Sequence, residues 1–361
     1  MRRLGVSLLA IVVAFGLLEG LYRGYKWLRY GSVNYLDLYA VGYFTPHPDY
    51  GYVPTPKFSS SSIPQWIRRG IYGYHYFMTS RYTTNSLGLR GHEVGPKKAG
   101  VKRIIAVGGS TTMAMQVHDV ETWPAQLERL YRERGKRVEI VNAGVNGWRI
   151  REDLLRTKQK LLPLAPDVLL IASGWNDVWK GVQHGDPNAI MHPWNIPGWA
   201  HFKILENFRV QYLNRVGYDQ SLMRTFQERA RLDAPWVPVL TGRLREMVEA
   251  ARANKTEPVF VHLPGLCRET APREERELVQ SDTALIIRIL PEHYQLWAKM
   301  NTVLGQIDEQ MGRELGVQTI DVHRSFDRFS NDYRLSLFVD EIHMTALGHL
   351  EAAKVIAEQL P

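Results

Sequence analysis

From Arg103 onward the chain alternates short apolar runs with longer amphipathic stretches. Ile104-Ile105-Ala106-Val107 is an apolar run closed by Gly108-Gly109, which predicts a strand buried on both faces. Thr122 to Arg134 then places Trp123, Leu127, Leu130 and Tyr131 on one face of a helix. Val138 to Val141 predicts a second strand, Ile150 to Leu162 a second helix, and Pro166-Asp167 opens a third strand over Val168 to Ala172. A helix from about Leu240 to Ala253 precedes a fourth strand, Pro258 to Leu263. A long helix from about Glu292 to Leu315 precedes a fifth, Val317 to Val322, and a last helix covers Thr345 to Gln359. Strands separated by helices of this length imply βαβ units and a parallel sheet.

Three segments depart from that rhythm. Residues 30–100 are rich in Tyr, Pro, Gly and Ser and carry no helical period, which predicts an irregular lead-in with short strands. Residues 178–239 hold Trp179, Trp194, Trp199 and Trp236 among several prolines, with an amphipathic stretch near Ser221 to Arg231. An insertion this long is usually functional, so it is expected to form a helical cap beside the site, the alternative being a surface elaboration that touches no substrate. At the N-terminus, Met1-Arg2-Arg3 precedes residues 4–22, in which Glu19 is the sole charge. A membrane span needs about 20 apolar residues, so residues 1–29 are expected to form an uncleaved anchor, with a cleaved signal peptide as the alternative. No small-x-small cleavage site follows, and Tyr22 suits a membrane interface. Arg23, Lys26 and Arg29 balance Arg2 and Arg3 and leave the orientation open.

Composition narrows the classes. The 361 residues are 45% hydrophobic and 23% charged, enough for one large domain with a full core. The formal charge of +8 could suit an anionic partner. Its basic residues are scattered, however, and Glu133 and Glu228 interrupt the longer runs. Neither an RNP-like aromatic motif nor a zinc-finger spacing is present, so nucleic acid is not an expected partner. Cys267 is the single cysteine, which excludes an internal disulfide and a CxxC metal site and predicts a small buried hydrophobe. His118, His262 and His323 lack HExxH spacing, His262 reads as a strand-end core or loop residue, and no metal or cofactor is called for.

Candidate chemistry collects in loops after the strands, where parallel α/β sheets carry reactive groups. The first strand runs into Gly108-Gly109-Ser110-Thr111-Thr112, a serine in a glycine-rich strand-to-helix turn. Singly this is a common turn. It matches neither the GxxxxGK[ST] phosphate loop nor the GxSxG elbow. The second strand ends in Asn142-Ala143-Gly144-Val145-Asn146-Gly147, a tight loop or a turn that needs positive φ. The third ends in Gly174-Trp175-Asn176-Asp177, where a side-chain amide can donate to an oxyanion and the aspartate can hold a loop. Near the C-terminus stands Asp340-Glu341-Ile342-His343, a histidine base with an acid three residues upstream to fix its tautomer.

In this order the four loops resemble the blocks of the SGNH hydrolases, the GDSL esterase/lipase superfamily, over roughly residues 101–361. Gly108-Gly109-Ser110 matches the nucleophile block, Asn142 with Gly147 the second, Gly174 to Asp177 the third, and Asp340 with His343 the last. The stretch Asn85-Ser86-Leu87-Gly88-Leu89-Arg90-Gly91 resembles membrane-anchored bacterial members. Gly109 departs from the pattern, since many members have aspartate there. The resemblance implies a three-layer α/β/α fold with a mostly parallel five-stranded, flavodoxin-like sheet. It implies Ser110, Asp340 and His343 as the triad. Ser110, Gly147 and Asn176 would form the oxyanion hole, with Gly144 shaping the loop. The expected activity is hydrolysis of an acyl or acetyl ester on a carbohydrate or lipid through an acyl-enzyme. Transfer of the acyl group to an exported polysaccharide is the alternative, as is a silent envelope binding protein. With the anchor, a single-pass membrane protein bearing a periplasmic hydrolase domain is expected.

Overall fold

The computed structural model describes residues 2–30, 42–62, 81–185, 220–281 and 291–360. Among these residues are seven strands, interspersed with helices. A first helix, α1 (Arg2–Tyr30), precedes an antiparallel hairpin of β1 (Phe44–His47) and β2 (Gly51–Pro54). The main sheet then begins with β3 (Lys102–Gly108), followed by α2 (Ser110–Met113), α3 (Trp123–Glu133), β4 (Val138–Asn142) and α4 (Ile150–Arg156). Next come β5 (Val168–Ala172), α5 (Trp175–His184), α6 (Gln220–Arg229), α7 (Val237–Ala253) and β6 (Glu257–His262). The chain finishes with α8 (Arg273–Ser281), α9 (Pro291–Leu315), β7 (Gln318–Asp321), α10 (Val322–Ser325), α11 (Asn331–Ser336) and α12 (Ala346–Gln359).

The five long-range strands pair in parallel in the order β4-β3-β5-β6-β7. This is the doubly wound order in which the first strand sits inside the sheet, and it is the fold the periodicity and the resemblance predict. Side-chain alternation sorts each strand between two cores. Ile105, Val107, Leu169, Ile171 and Phe260 face one layer with α4, α5, α6, α7 and α9. Ile104, Ala106, Val168, Leu170, Val259 and Val261 face the other with α3 and α12. Each fully buried Leu, Ile or Val contributes about 1.5–3 kcal/mol, so these runs hold the sheet in register.

Residues 186–219 of the insertion lie outside the described residues, and its described flanks join the helical layer on one face of the sheet. Met223 and Phe226 of α6 enter the sheet-facing core. Trp236, 1% exposed, seats its indole against Gly181, where an added Cβ would clash with the ring. The membrane anchor expected over 1–29 is not supported: among the described residues no helix is long and apolar enough to cross a membrane. Residues Arg2–Tyr30 do form one helix, but Glu19 interrupts its apolar run and pairs with Arg23 at 2.8 Å.

The lead-in is ordered where described, with short strands as expected. Tyr43, Phe44, Tyr50, Tyr52 and Tyr82 form a third cluster with Met113, Met115, Val145 and Trp148. The hairpin thus packs on the loops at the carboxyl ends of β3 and β4. The tyrosines at 72–76 lie outside the described residues.

Candidate active site

Strand order reverses between β3 and β5, and ligands of open α/β sheets bind at the carboxyl ends beside such a switch point. Ser110 sits there as the first residue of α2. That helix has four residues and stops at Ala114, whose φ of 55° is left-handed. Its end is held by Arg90, buried, which donates to the carbonyls of Met113 and Ala114 and to Val117 O at 2.7 Å. Arg90 also pairs with Asp119 at 3.0 Å. The Asn85–Gly91 stretch noticed in the sequence therefore fastens the serine-bearing turn.

The second loop closes on the same turn. Asn142 Nδ2 donates to Thr112 O at 2.8 Å, and its Oδ1 accepts from Gly144 N at 3.0 Å. Gly144 lies so close to the backbone of Thr112 and Met113 that no side chain fits, which is the loop-shaping part expected of it. Gly147 adopts a φ of 77°, and its N–H has no backbone acceptor among the described residues. From outside, Tyr52 Oη donates to Asn146 O at 2.6 Å.

Asn176 and Asp177 lie in the first turn of α5, where the residue types alone suggest a simple turn. Gly174, at φ 120°, makes the sharp entry from β5. Asn176 Nδ2 donates one hydrogen to Trp148 O at 2.8 Å, leaving the second for a ligand. Asp177 Oδ2 accepts from Ile150 N at 2.9 Å and so holds the loop after Gly147, as anticipated. Gly109 approaches Asn176 so closely that an added Cβ would lie 2.8 Å from Nδ2. A side chain at 109 would therefore require the Asn176 amide to shift.

His343 completes the constellation. Its Nε2 is 2.8 Å from Ser110 Oγ, and its Nδ1 is 2.7 Å from Asp340 Oδ2. Asp340 Oδ1 accepts from the backbone N–H groups of Ile342 at 2.9 Å and His343 at 2.7 Å. With Nδ1–H donating to the carboxylate, Nε2 is left as the acceptor for the serine hydroxyl. Burial works against the imidazolium, but the charge and hydrogen bond of Asp340 outweigh it and lift the His343 pKa above its ordinary value. Burial would likewise raise Asp340. The facing imidazolium and the hydrogen bonds prevail and hold its carboxyl below the usual aspartate range. Glu341, between them in the chain, is pushed up to about 8 by burial and by the charge of Asp340.

Ser110, Asp340 and His343 come together, and Asn176 is tied to the end of the Gly147 loop. A proton relay beside an acyl carbonyl is the chemistry the arrangement offers. Further from Ser110, Cys267 is fully buried with its thiol pushed well up by burial, an inert packing residue as expected. His262 is also buried at the end of β6, 3.6 Å from Asp308. Among the described residues no cluster of His, Cys, Asp or Glu is arranged to hold a metal ion. Sequence reasoning misses Tyr52, and the part that Arg90 plays. Both reach the site through backbone carbonyls, which leave no mark in a side-chain pattern.

Residues 106–350, more than half of the chain, match the model of the GDSL-like lipase/acylhydrolase family. The chain belongs to that family. The GDSL-like family membership makes it an ester hydrolase of the SGNH type. No curated protein matches it. Among solved structures it is similar to the acetyl xylan esterase AlAXEase at 13% identity, with 72% of this chain and 100% of that one covered and a TM-score of 0.44. It is also similar to TesA at 14% identity, with 72% and 98% covered and a TM-score of 0.42. A catalytic mutant of Axe2, an acetylxylan esterase from Geobacillus stearothermophilus, shares 13% identity, with 73% and 95% covered and a TM-score of 0.42.

Proposed function

We propose that this GDSL-like protein cleaves a carboxylic ester through an acyl-enzyme on Ser110. The observation that carries the reading is the continuous relay from Ser110 Oγ to His343 Nε2 at 2.8 Å and from His343 Nδ1 to Asp340 at 2.7 Å. In the first step Ser110 Oγ attacks the ester carbonyl as His343 takes its proton. The oxyanion rests on the N–H groups of Ser110 and Gly147 and on the second amide hydrogen of Asn176. His343 then gives the proton to the departing alcohol, and water repeats the sequence on the acyl-serine to release the acid. The raised pKa of His343 suits this exchange, because a stronger base draws the serine proton further in the transition state.

As substrate we propose an acylated carbohydrate or lipid; the lipase/acylhydrolase family description supports an acyl ester. We place the encounter outside the cytoplasm. What supports that is the row of exposed Leu9, Ile11, Val12, Leu17, Leu18 and Leu21 on α1, an apolar surface suited to an apolar partner. The test of the acyl-enzyme is covalent trapping with a serine-reactive fluorophosphonate. Wild type is expected to label and Ser110→Ala is not. Equal labelling of both would overturn the reading.

A further inference from the structure

The hairpin β1–β2 lies outside the residues matched by the family model, yet it touches the loop that carries Gly147. Tyr52 Oη donates to the carbonyl of Asn146 at 2.6 Å. That carbonyl and the Gly147 N–H belong to one planar peptide unit, in which they point in opposite directions. A donor seated on the carbonyl therefore fixes the plane and turns the N–H away from the hairpin. It also polarises the unit, since hydrogen bonds in series strengthen one another.

Tyr52 is itself held firmly. It is 2% exposed, its ring meets Phe44 edge-on at 5.3 Å, and the Trp148 indole N–H returns a hydrogen bond to Tyr52 O at 3.2 Å. The preceding peptide is tied from the other side, where Asn146 N donates to Met113 Sδ at 3.0 Å. The loop thus has a fixed peptide on each side of Asn146.

We propose that Tyr52 is a positioning residue of the oxyanion site, its phenol orienting and polarising the Asn146–Gly147 peptide so that the Gly147 N–H meets the developing charge. The proposal rests on the serine-hydrolase reading above. Because Tyr52 acts through the peptide, its loss weakens a donor without removing it. The effect falls on the transition state rather than on substrate binding.

The experiment is hydrolysis of p-nitrophenyl acetate by the full chain. Tyr52→Phe keeps the ring packing and is expected to lower kcat about tenfold with KM within about twofold. That is a smaller loss than the roughly hundredfold or more from deleting a direct donor. Tyr50→Phe is the control. It deletes a 2.7 Å hydrogen bond to Gln159 from the same hairpin, and its ring still meets Trp148 at 5.3 Å, so kcat should be unchanged. Replacing Tyr52 with p-aminophenylalanine, which keeps a weaker donor, should give an intermediate kcat, and it carries the test if the phenylalanine variant does not fold. The proposal is overturned if Tyr52→Phe retains wild-type kcat, if KM rises in place of the fall in kcat, if Tyr50→Phe loses as much, or if the amino variant matches wild type. Full activity in Ser110→Ala would instead sink the serine reading, so the two failures are distinguishable.

Discussion

Asn176 and Gly109 share one space: a Cβ on residue 109 would stand 2.8 Å from the Asn176 amide nitrogen. That nitrogen is anchored on Trp148 O at 2.8 Å, so a retreat strains the bond that aims it. Gly109→Ala is therefore expected to lower kcat by about tenfold or more while KM changes little, as measured with a small acyl ester. Gly109→Asp, which restores the residue common in SGNH hydrolases, should be no better. Recovery of full activity in the Gly109→Asp variant would show that Asn176 has room to move.

Removing the Asn176 donor itself should cost about 3 kcal/mol in the transition state, roughly a hundredfold in kcat. Asn176→Asp leaves a carboxylate facing the oxyanion and should be worse than Asn176→Ala. A steady-state comparison of the two variants checks both the size and the order.

The rate should rise with pH, because only neutral His343 accepts the serine proton. Its pKa is raised in the fold, so the inflection of kcat/KM is expected above the ordinary 6.5. Asp340→Asn removes the charge that raises it. The inflection should then move down, together with a large loss of rate. A profile that is flat through neutral pH would contradict the role of His343.

Stability should run the other way with pH. Burial raises the carboxyls of Asp153 and Asp177 to about 7 from 3.8. A group with a raised folded pKa contributes stability below its unfolded pKa and loses it as pH climbs through the folded one. Between those two values, from about pH 4 to about pH 7, Tm should therefore fall. Asp153→Asn and Asp177→Asn should each flatten that slope, since an amide keeps the fold's neutral form at every pH. Thermal melts across the range decide it.

Arg90→Met should destabilise the chain by about 3 kcal/mol or more, because it strips donors from three carbonyls around α2 and leaves Asp119 without its cationic partner. Calorimetry would register the loss. Arg90→Lys, which reaches fewer of the acceptors, should fall between.

The sheet is legible in the sequence because its strands are buried on both faces. Ile104 to Val107 and Val168 to Ala172 read as unbroken apolar runs with Gly or Pro nearby, and the structure extends them by no more than two residues at either end. Ser110, Asn176, Asp340 and His343 are legible as company, the first two in the turns that follow strands and the last two in the loop before the final helix. What lies beyond reach are contacts made across long separations to the main chain. Tyr52 meets Asn146 through a carbonyl, and nothing in a tyrosine-rich segment without a period marks one ring from another. The anchor rests on apolarity alone, and the Glu19–Arg23 pair within α1 shows what that reading leaves out. Helix α5 is hidden for a different reason, since Gly174 bends so sharply that its first turn looks like loop in sequence.

The clustering of Tyr43, Tyr50, Tyr52 and Tyr82 with Val145 and Trp148 also carries the packed unit upstream of the family signature. The span that carries the family signature begins at residue 106. A protein trimmed to it would bare the outer wall of the Gly147 loop to water, leave the Trp148 indole without its acceptor on Tyr52, and lose Arg90 from the serine turn. The signature thus marks where the reacting groups are written, while the rigidity they depend on is written upstream of it.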